Sequence, residues 1–286
     1  MKMLIGLALG LVVSTAAMAD FMPENNLYLE DLQENASMTE ERFNEIIDQA
    51  VAIYEPIIAA YDKKLKVNRK WSNSTVNASA QQLGSTWVVN MYGGLARRDE
   101  VTEDGFALVV CHEIGHHLGG FPYSHSWAAD EGQSDYFATL SCGRQLWERD
   151  FEGNAKAAEK VEGYAKNKCD EAWTLENDRN LCYRQMNAGY SLADLLSGGS
   201  GVAHDTPDQA EVSSTNHRHP AAQCRLDTYM LGALCQAQFN PALIPGKEFN
   251  NRNGLEAEEQ SAEVTCTKFN GDTIGVRSRC WYKPSL

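Results

Sequence analysis

The chain has 286 residues, 43% hydrophobic and 22% charged, which is enough to bury a substantial core. Its 25 basic residues face 39 acidic ones, giving a formal net charge of −14. That balance argues against nucleic acid or an anionic membrane surface as the principal partner.

In chain order, the first feature is an export signal. Lys2 precedes an apolar run over residues 4–13, and small residues then lead to Ala17, Met18 and Ala19, an A-x-A-like cleavage pattern. Residues 1–19 are therefore expected to be removed as a signal peptide. The run is shorter than the roughly 20 apolar residues a membrane span needs, and no other stretch approaches that length. The expectation is an exported protein, periplasmic or secreted, with no integral membrane segment in the mature chain.

Ser37 and Glu40 have capping-box spacing. Phe43, Ile46, Ile47, Ala50, Val51, Tyr54, Ile57, Ile58, Tyr61 and Leu65 then recur on one helical face, with a bend expected near Pro56. "LKVNRKW" at 65–71 and "STWVVNMY" at 85–92 have strand character and are separated by the polar "SNSTVNASAQQLG". Beyond Gly93 and Gly94 the pattern turns helical from Asp104, with Phe106, Val109, Val110, Ile114 and Leu118 as its stripe and Gly119 and Gly120 as its close. A loop with Pro122 leads to helices over about 128–147 and 152–168, and "SGGSGVAHDTPDQ" at 197–209 reads as a linker. The following "AAQCRLDTYMLGALCQAQF" is helical, and "EVTCTKFNGDTIGVRSRCWY" predicts a hairpin turning at Asn270 and Gly271. The class predicted is α+β, mostly helical with a small antiparallel sheet. Residues 20–199 would form the main domain, and 200–286 a disulfide-rich helical and hairpin extension that completes the fold.

Eight cysteines in an exported chain read as disulfides. Closure of short local loops predicts Cys111 with Cys142, Cys169 with Cys182, Cys224 with Cys235, and Cys266 with Cys280. No C-x-x-C occurs, which weakens a cysteine-only zinc site or a redox motif.

The densest chemistry lies in "CHEIGHHLGG" at 111–120. His112 and His116, four apart on a helix, project from one face and can grip one ion, with Glu113 beside them to act on a metal-bound water. A catalytic zinc site needs a third protein ligand. The extended pattern H-E-x-x-H-x-x-G-x-x-H would require histidine at 122, where Pro122 stands. On the next helix, Glu131 and Asp135 are again four apart. Glu131 completes a His₂Glu set, and Asp135 is placed to hold a ligand histidine by its other ring nitrogen. His117, His125, Asp130 and Asp135 itself compete for the third position. A thiolate mechanism pairing Cys111 with His112 is disfavoured, because adjacent helical positions point apart and export favours a disulfide.

Four landmarks in order resemble the HtpX and CAAX prenyl protease group of gluzincin metallopeptidases. They are Asn77, Ala78 and Ala80 ahead of "TWVVNMYGG", then "HEIGH", then "EGQSDYFA", then His219, Pro220 and Arg225 in "HRHPAAQCRL". The resemblance implies a zincin-like catalytic domain with one catalytic Zn²⁺ on His112, His116 and Glu131. It implies Glu113 as the base, His219 as a donor to the oxyanion, and Asp135 and Arg225 behind the ligands. It also implies that the strand ahead of the zinc helix is the sheet edge receiving a protein or peptide substrate. Only fourteen residues separate His116 from Glu131, and no transmembrane helices are present, which speaks against membrane-protein substrates. The chain beyond Arg225 has no counterpart in the group. The rival expectation is a disulfide-stabilised envelope assembly or binding factor with a structural zinc; the presence of Glu113 argues against it.

Overall fold

The computed structural model describes residues 18–28, 38–161 and 163–285. The stretch expected to be an export signal therefore lies outside the described residues except for Met18 and Ala19, which belong to a short strand, β1 (Met18–Asp20). The first long amphipathic stretch forms α1 (Glu40–Ala59), which buries Phe43, Ile46, Ile47, Ala50, Tyr54 and Ile58. Its cap is Thr39, whose hydroxyl accepts from the Arg42 amide at 3.1 Å; Ser37 lies outside the described residues.

The two expected strands are present as β2 (Lys64–Lys70) and β4 (Thr86–Tyr92), and the polar spacer between them contains β3 (Ala78–Leu83). The sheet order is β1-β3-β4-β2, with β2 parallel to β4 and the other pairs antiparallel. The sheet is therefore mixed, not antiparallel, because β3 takes up the reversal of direction between β2 and β4. Residues 78–80 of β3 are buried, yet they are small or polar, so the strand carries no apolar alternation to betray it. β4, with Trp87, Val88, Val89, Asn90 and Met91 all buried, is a central strand covered on both faces. This corrects its expected role as the sheet edge: both of its flanks are hydrogen-bonded to neighbours.

After a single turn, α2 (Gly93–Ala96), the helix α3 (Glu103–Leu118) starts at Thr102, whose hydroxyl accepts from the Gly105 amide at 3.0 Å. Every residue from 105 to 118 is buried, so the polar residues of "HEIGHH" stand inside the protein, where each must be bonded or do chemistry. The expected 128–147 helix is α4 (Glu131–Phe137), which runs through a π-helical turn (Ala138–Gly143) into α5 (Arg144–Trp147). The expected 152–168 helix is two pieces, α6 (Phe151–Ala157) and α7 (Gly163–Ala172). Then follow α8 (Glu176–Ser197), ended by Gly198 at φ 59°, α9 (Ala222–Leu234) and α10 (Leu255–Ser261). Among the described residues no helix is long and apolar enough to cross a membrane.

Cys111–Cys142 and Cys169–Cys182 are bonded as expected, but the other bridges are Cys224–Cys280 and Cys235–Cys266. Local closure fails for a geometric reason. Cys235 stands eleven positions beyond Cys224 along α9, about 16 Å of helix, whereas bridged Cα atoms lie within about 7 Å. The two nested bridges tie the C-terminal chain to α9, and no hairpin forms there. A 3₁₀ turn (Lys268–Asn270) precedes Gly271 at φ 83°, and the segment bonds to helices instead. The Tyr136 hydroxyl donates to the Gly275 carbonyl at 2.5 Å, and Arg277 Nε donates to Gln133 Oε1 at 2.7 Å. Trp281 lies against Gly132 so closely that a Cβ there would come within 2.3 Å of the indole. The C-terminal chain thus braces the helix that begins at Glu131.

Candidate metal centre

His112 and His116 project from one face of α3 toward Glu131, the first residue of α4. One ligand atom from each of the three lies within 4.8 Å of the others. The helices meet closely because Gly115 lies between the two histidines. A Cβ at Gly115 would stand 3.1 Å from the Ser134 Cα, so any side chain there would press directly on the α4 backbone. His112 Nε2 is 3.2 Å and His116 Nε2 is 3.5 Å from the Glu131 carboxylate. Ligands about 2.0–2.2 Å from a tetrahedral ion stand about 3.4 Å apart, so these separations suit a metal. His112 Nε2, His116 Nε2 and Glu131 Oε2 are buried and have no hydrogen-bond partner. Three orphaned lone-pair donors converging on one point fit a divalent cation, since a buried polar atom left unpaired is otherwise costly.

The other ring nitrogens fix the tautomers. His112 Nδ1–H donates to Asp135 Oδ1 at 2.8 Å, and His116 Nδ1–H donates to the Ala129 carbonyl at 2.8 Å, with Ser134 Oγ 3.0 Å away. Each bond leaves Nε2 facing the ion position. Asp135 is clamped in turn by Arg225, whose Nε and Nη2 donate to it at 2.6 and 2.7 Å. Asp135 thus touches His112 directly, and Arg225 reaches it through Asp135. In the metal-free chain, burial pushes the His112 imidazole down, but the Asp135 and Glu131 carboxylates outweigh it and hold its pKa at about 9. His116 is driven down to about 4 by burial, which Glu131 only partly opposes. Burial pushes Glu131 up, but the two histidines and Arg225 hold it below the usual carboxylate range.

Glu113 is fully buried, and neither carboxylate oxygen has a partner. Burial holds its carboxyl well above the usual range; His112 opposes this, and Glu131 and Asp20 add to it. His219 reaches the same region from the chain just before α9. Its Nε2 is 3.6 Å from Glu131 Oε2 and donates to the Asp20 carbonyl at 2.7 Å, with the side chain 27% exposed. The competing ligands are elsewhere. His117 is stacked between Trp87 and Trp127 and bonds to the Val88 carbonyl, while His125 is exposed. Asp130 turns to His217, whose Nδ1 is 3.0 Å from both of its oxygens.

Several neighbours escaped the sequence reading. Phe21 packs edge-on against the His112 ring at 5.1 Å, lies over the Arg225 guanidinium at 4.6 Å, and accepts from Arg225 Nη1 through its carbonyl at 2.6 Å. Its only sequence signal is a lone aromatic next to the expected cleavage point. The Ala129 carbonyl has none, since any residue supplies one. No family model, curated protein or solved structure matches the chain.

Proposed function

We propose that the protein is an exported zinc-dependent endopeptidase that hydrolyses peptide bonds of protein substrates. The observation that carries this reading is Glu113: a buried carboxyl with both oxygens unpartnered, next in sequence to one histidine of the metal-binding group. A purely structural metal site has no use for such a group, whose burial is unfavourable. The four-landmark resemblance to gluzincin peptidases supports the same conclusion. The His₂Glu donor set favours zinc, which when bound polarises a carbonyl and lowers the pKa of water. Four disulfides and the leader pattern of residues 1–19 support export to the periplasm or beyond.

The chain's own groups divide the remaining work. Glu113 takes a proton from the attacking water and delivers it to the amine that leaves as the C–N bond breaks; its raised proton affinity suits that task. His219, whose Nε2 stands near Glu131, donates to the carbonyl oxygen as charge develops there, exchanging its bond to the Asp20 carbonyl for that one. Asp135 and Arg225 hold His112 in the tautomer that presents Nε2.

The test is Glu113→Gln. It is expected to retain one zinc per chain while cleavage of an unfolded protein substrate falls by about 10²–10⁴-fold. Full activity in this variant would sink the mechanism. A wild-type chain that binds zinc stoichiometrically and cleaves nothing in a broad peptide library would instead identify a binding or assembly factor.

A further inference from the structure

The sheet edge beside the metal centre is occupied by the chain itself. β1 lies antiparallel on β3, with Met18 opposite Gln81, Ala19 opposite Ala80 and Asp20 opposite Ser79. The Phe21 amide donates to the Ala78 carbonyl at 3.0 Å. By the two-residue alternation of antiparallel ladders, the next mutually hydrogen-bonded pair is Ala19 with Ala80. β4 is paired on both sides, and β2, the far edge, packs against α1, whereas α3 packs on β1, β3 and β4. Among the described strands, β3 therefore holds the main-chain groups that an extended peptide would need to lie along the metal helix, and β1 already uses them.

This occupant runs directly to the site. His219 Nε2 donates to the Asp20 carbonyl at 2.7 Å while standing 3.6 Å from Glu131. Just beyond, the chain is fastened. The Phe21 ring and carbonyl are held by His112 and Arg225, and both main-chain polar groups of Met22 bond to the Asn77 side chain at 2.9 and 3.2 Å. On the other side of Asp20, among the described residues, the strand is held by its ladder to β3, with Ala19 buried and Met18 45% exposed. The expected cut between Ala19 and Asp20 falls inside this strand. It would remove the residue paired to Ala80 and spare the anchor at Phe21 and Met22.

We propose that Met18–Asp20 occupies the edge of β3 on which an extended substrate peptide pairs, and that cleavage after Ala19 opens that edge at Ala80. The segment is an intramolecular stand-in for substrate, and the chain that retains it is blocked. The substrate class is an unfolded or extended peptide, added antiparallel to β3 with main-chain hydrogen bonds as its principal hold and alternate side chains directed to the site. This inference rests on the peptidase reading.

The test compares two zinc-loaded preparations of the full chain carrying Glu113→Gln, one retaining residues 1–19 and one cut at Ala19–Asp20 by leader peptidase, with the cut verified by intact mass. A fluorescein-labelled unstructured decapeptide is titrated into each and read by anisotropy. The cut form is expected to bind at least tenfold more tightly. In the wild-type chain, hydrogen exchange at the Ala80 amide is expected to accelerate at least tenfold on cutting and to slow again when the peptide is added. Equal affinity in the two forms, absence of binding to both, tighter binding to the uncut chain, or unchanged Ala80 exchange would each overturn the inference. If the cut wild-type chain binds the peptide with these differences but does not cleave it, the peptidase reading fails and the edge assignment stands.

Discussion

Asp135 touches the candidate metal group through His112. Its carboxylate receives His112 Nδ1–H on one side and two Arg225 donors on the other, all of them buried. Asp135→Asn removes the charge but keeps the shape. It leaves the Arg225 guanidinium buried with the Phe21 carbonyl as its remaining short partner. Metal affinity is expected to fall about 10–100-fold and stability by about 3–5 kcal/mol, measured by chelator competition and urea unfolding. Unchanged affinity would remove Asp135 from the role of positioning the ligand. The same carboxylate sets a pH dependence. With its pKa raised from 6.5 to about 9, His112 carries a proton at neutral pH in the metal-free chain. Its contribution to metal-free stability is present below about pH 6.5 and is lost as pH rises through about 9. Metal entry must displace the Nε2 proton, so zinc affinity is expected to weaken by up to about tenfold per unit as pH falls from 9 to 7. Calorimetry in buffers of different ionisation enthalpy reads the released proton, and a flat affinity over that range contradicts the assignment.

At the scale of elements, the parts of the site that were legible in sequence are those fixed by helical spacing. His112 with His116, and Glu131 with Asp135, are four-residue pairs, and on a helix that interval dictates a shared face. What stayed hidden depends on tertiary contact. Apart from Leu83, β3 is built of small and polar residues that a strand pattern does not flag. The Ala129 carbonyl is a main-chain group, and the partners Cys280 and Cys266 are set by where the C-terminal chain docks, although the helical reading of "AAQCRLDTYMLGALCQAQF" already rules out Cys224 with Cys235. The Cys111–Cys142 bridge follows from closure of a short local loop, the same rule that fails for Cys224 and Cys235. It ties the middle of α3 to the π-helical turn after α4. Closing a loop with a sequence separation of 31 residues, it is expected to contribute about 3–4 kcal/mol. The double variant Cys111→Ser with Cys142→Ser should unfold at correspondingly lower urea and bind zinc more weakly, as α3 and α4 lose a covalent constraint. A loss below about 1 kcal/mol with undiminished zinc affinity would show that the Gly115 contact alone sets the spacing of the helices.

Across the whole molecule, the centre draws its parts from distant stretches of chain. Phe21 comes from the N-terminal strand region, the histidines from α3, Glu131 from α4 and Arg225 from α9. Trp281 and Arg277 brace α4 from the far end of the chain. Only the folded chain brings the donors together, so metal binding and global folding share one equilibrium. At a free metal concentration about 1,000 times the Kd, linkage stabilises the fold by about 4 kcal/mol. For a chain of this size that is a shift on the order of 10 °C in Tm. Calorimetric melts with zinc and with excess chelator, disulfides intact, should differ by that amount, and the difference should grow with the logarithm of free zinc. A Tm that ignores the chelator would mean that the three donors do not jointly hold an ion. A transition that splits in two on zinc removal would instead mean that the N-terminal strand and the C-terminal brace fold independently of the centre they surround.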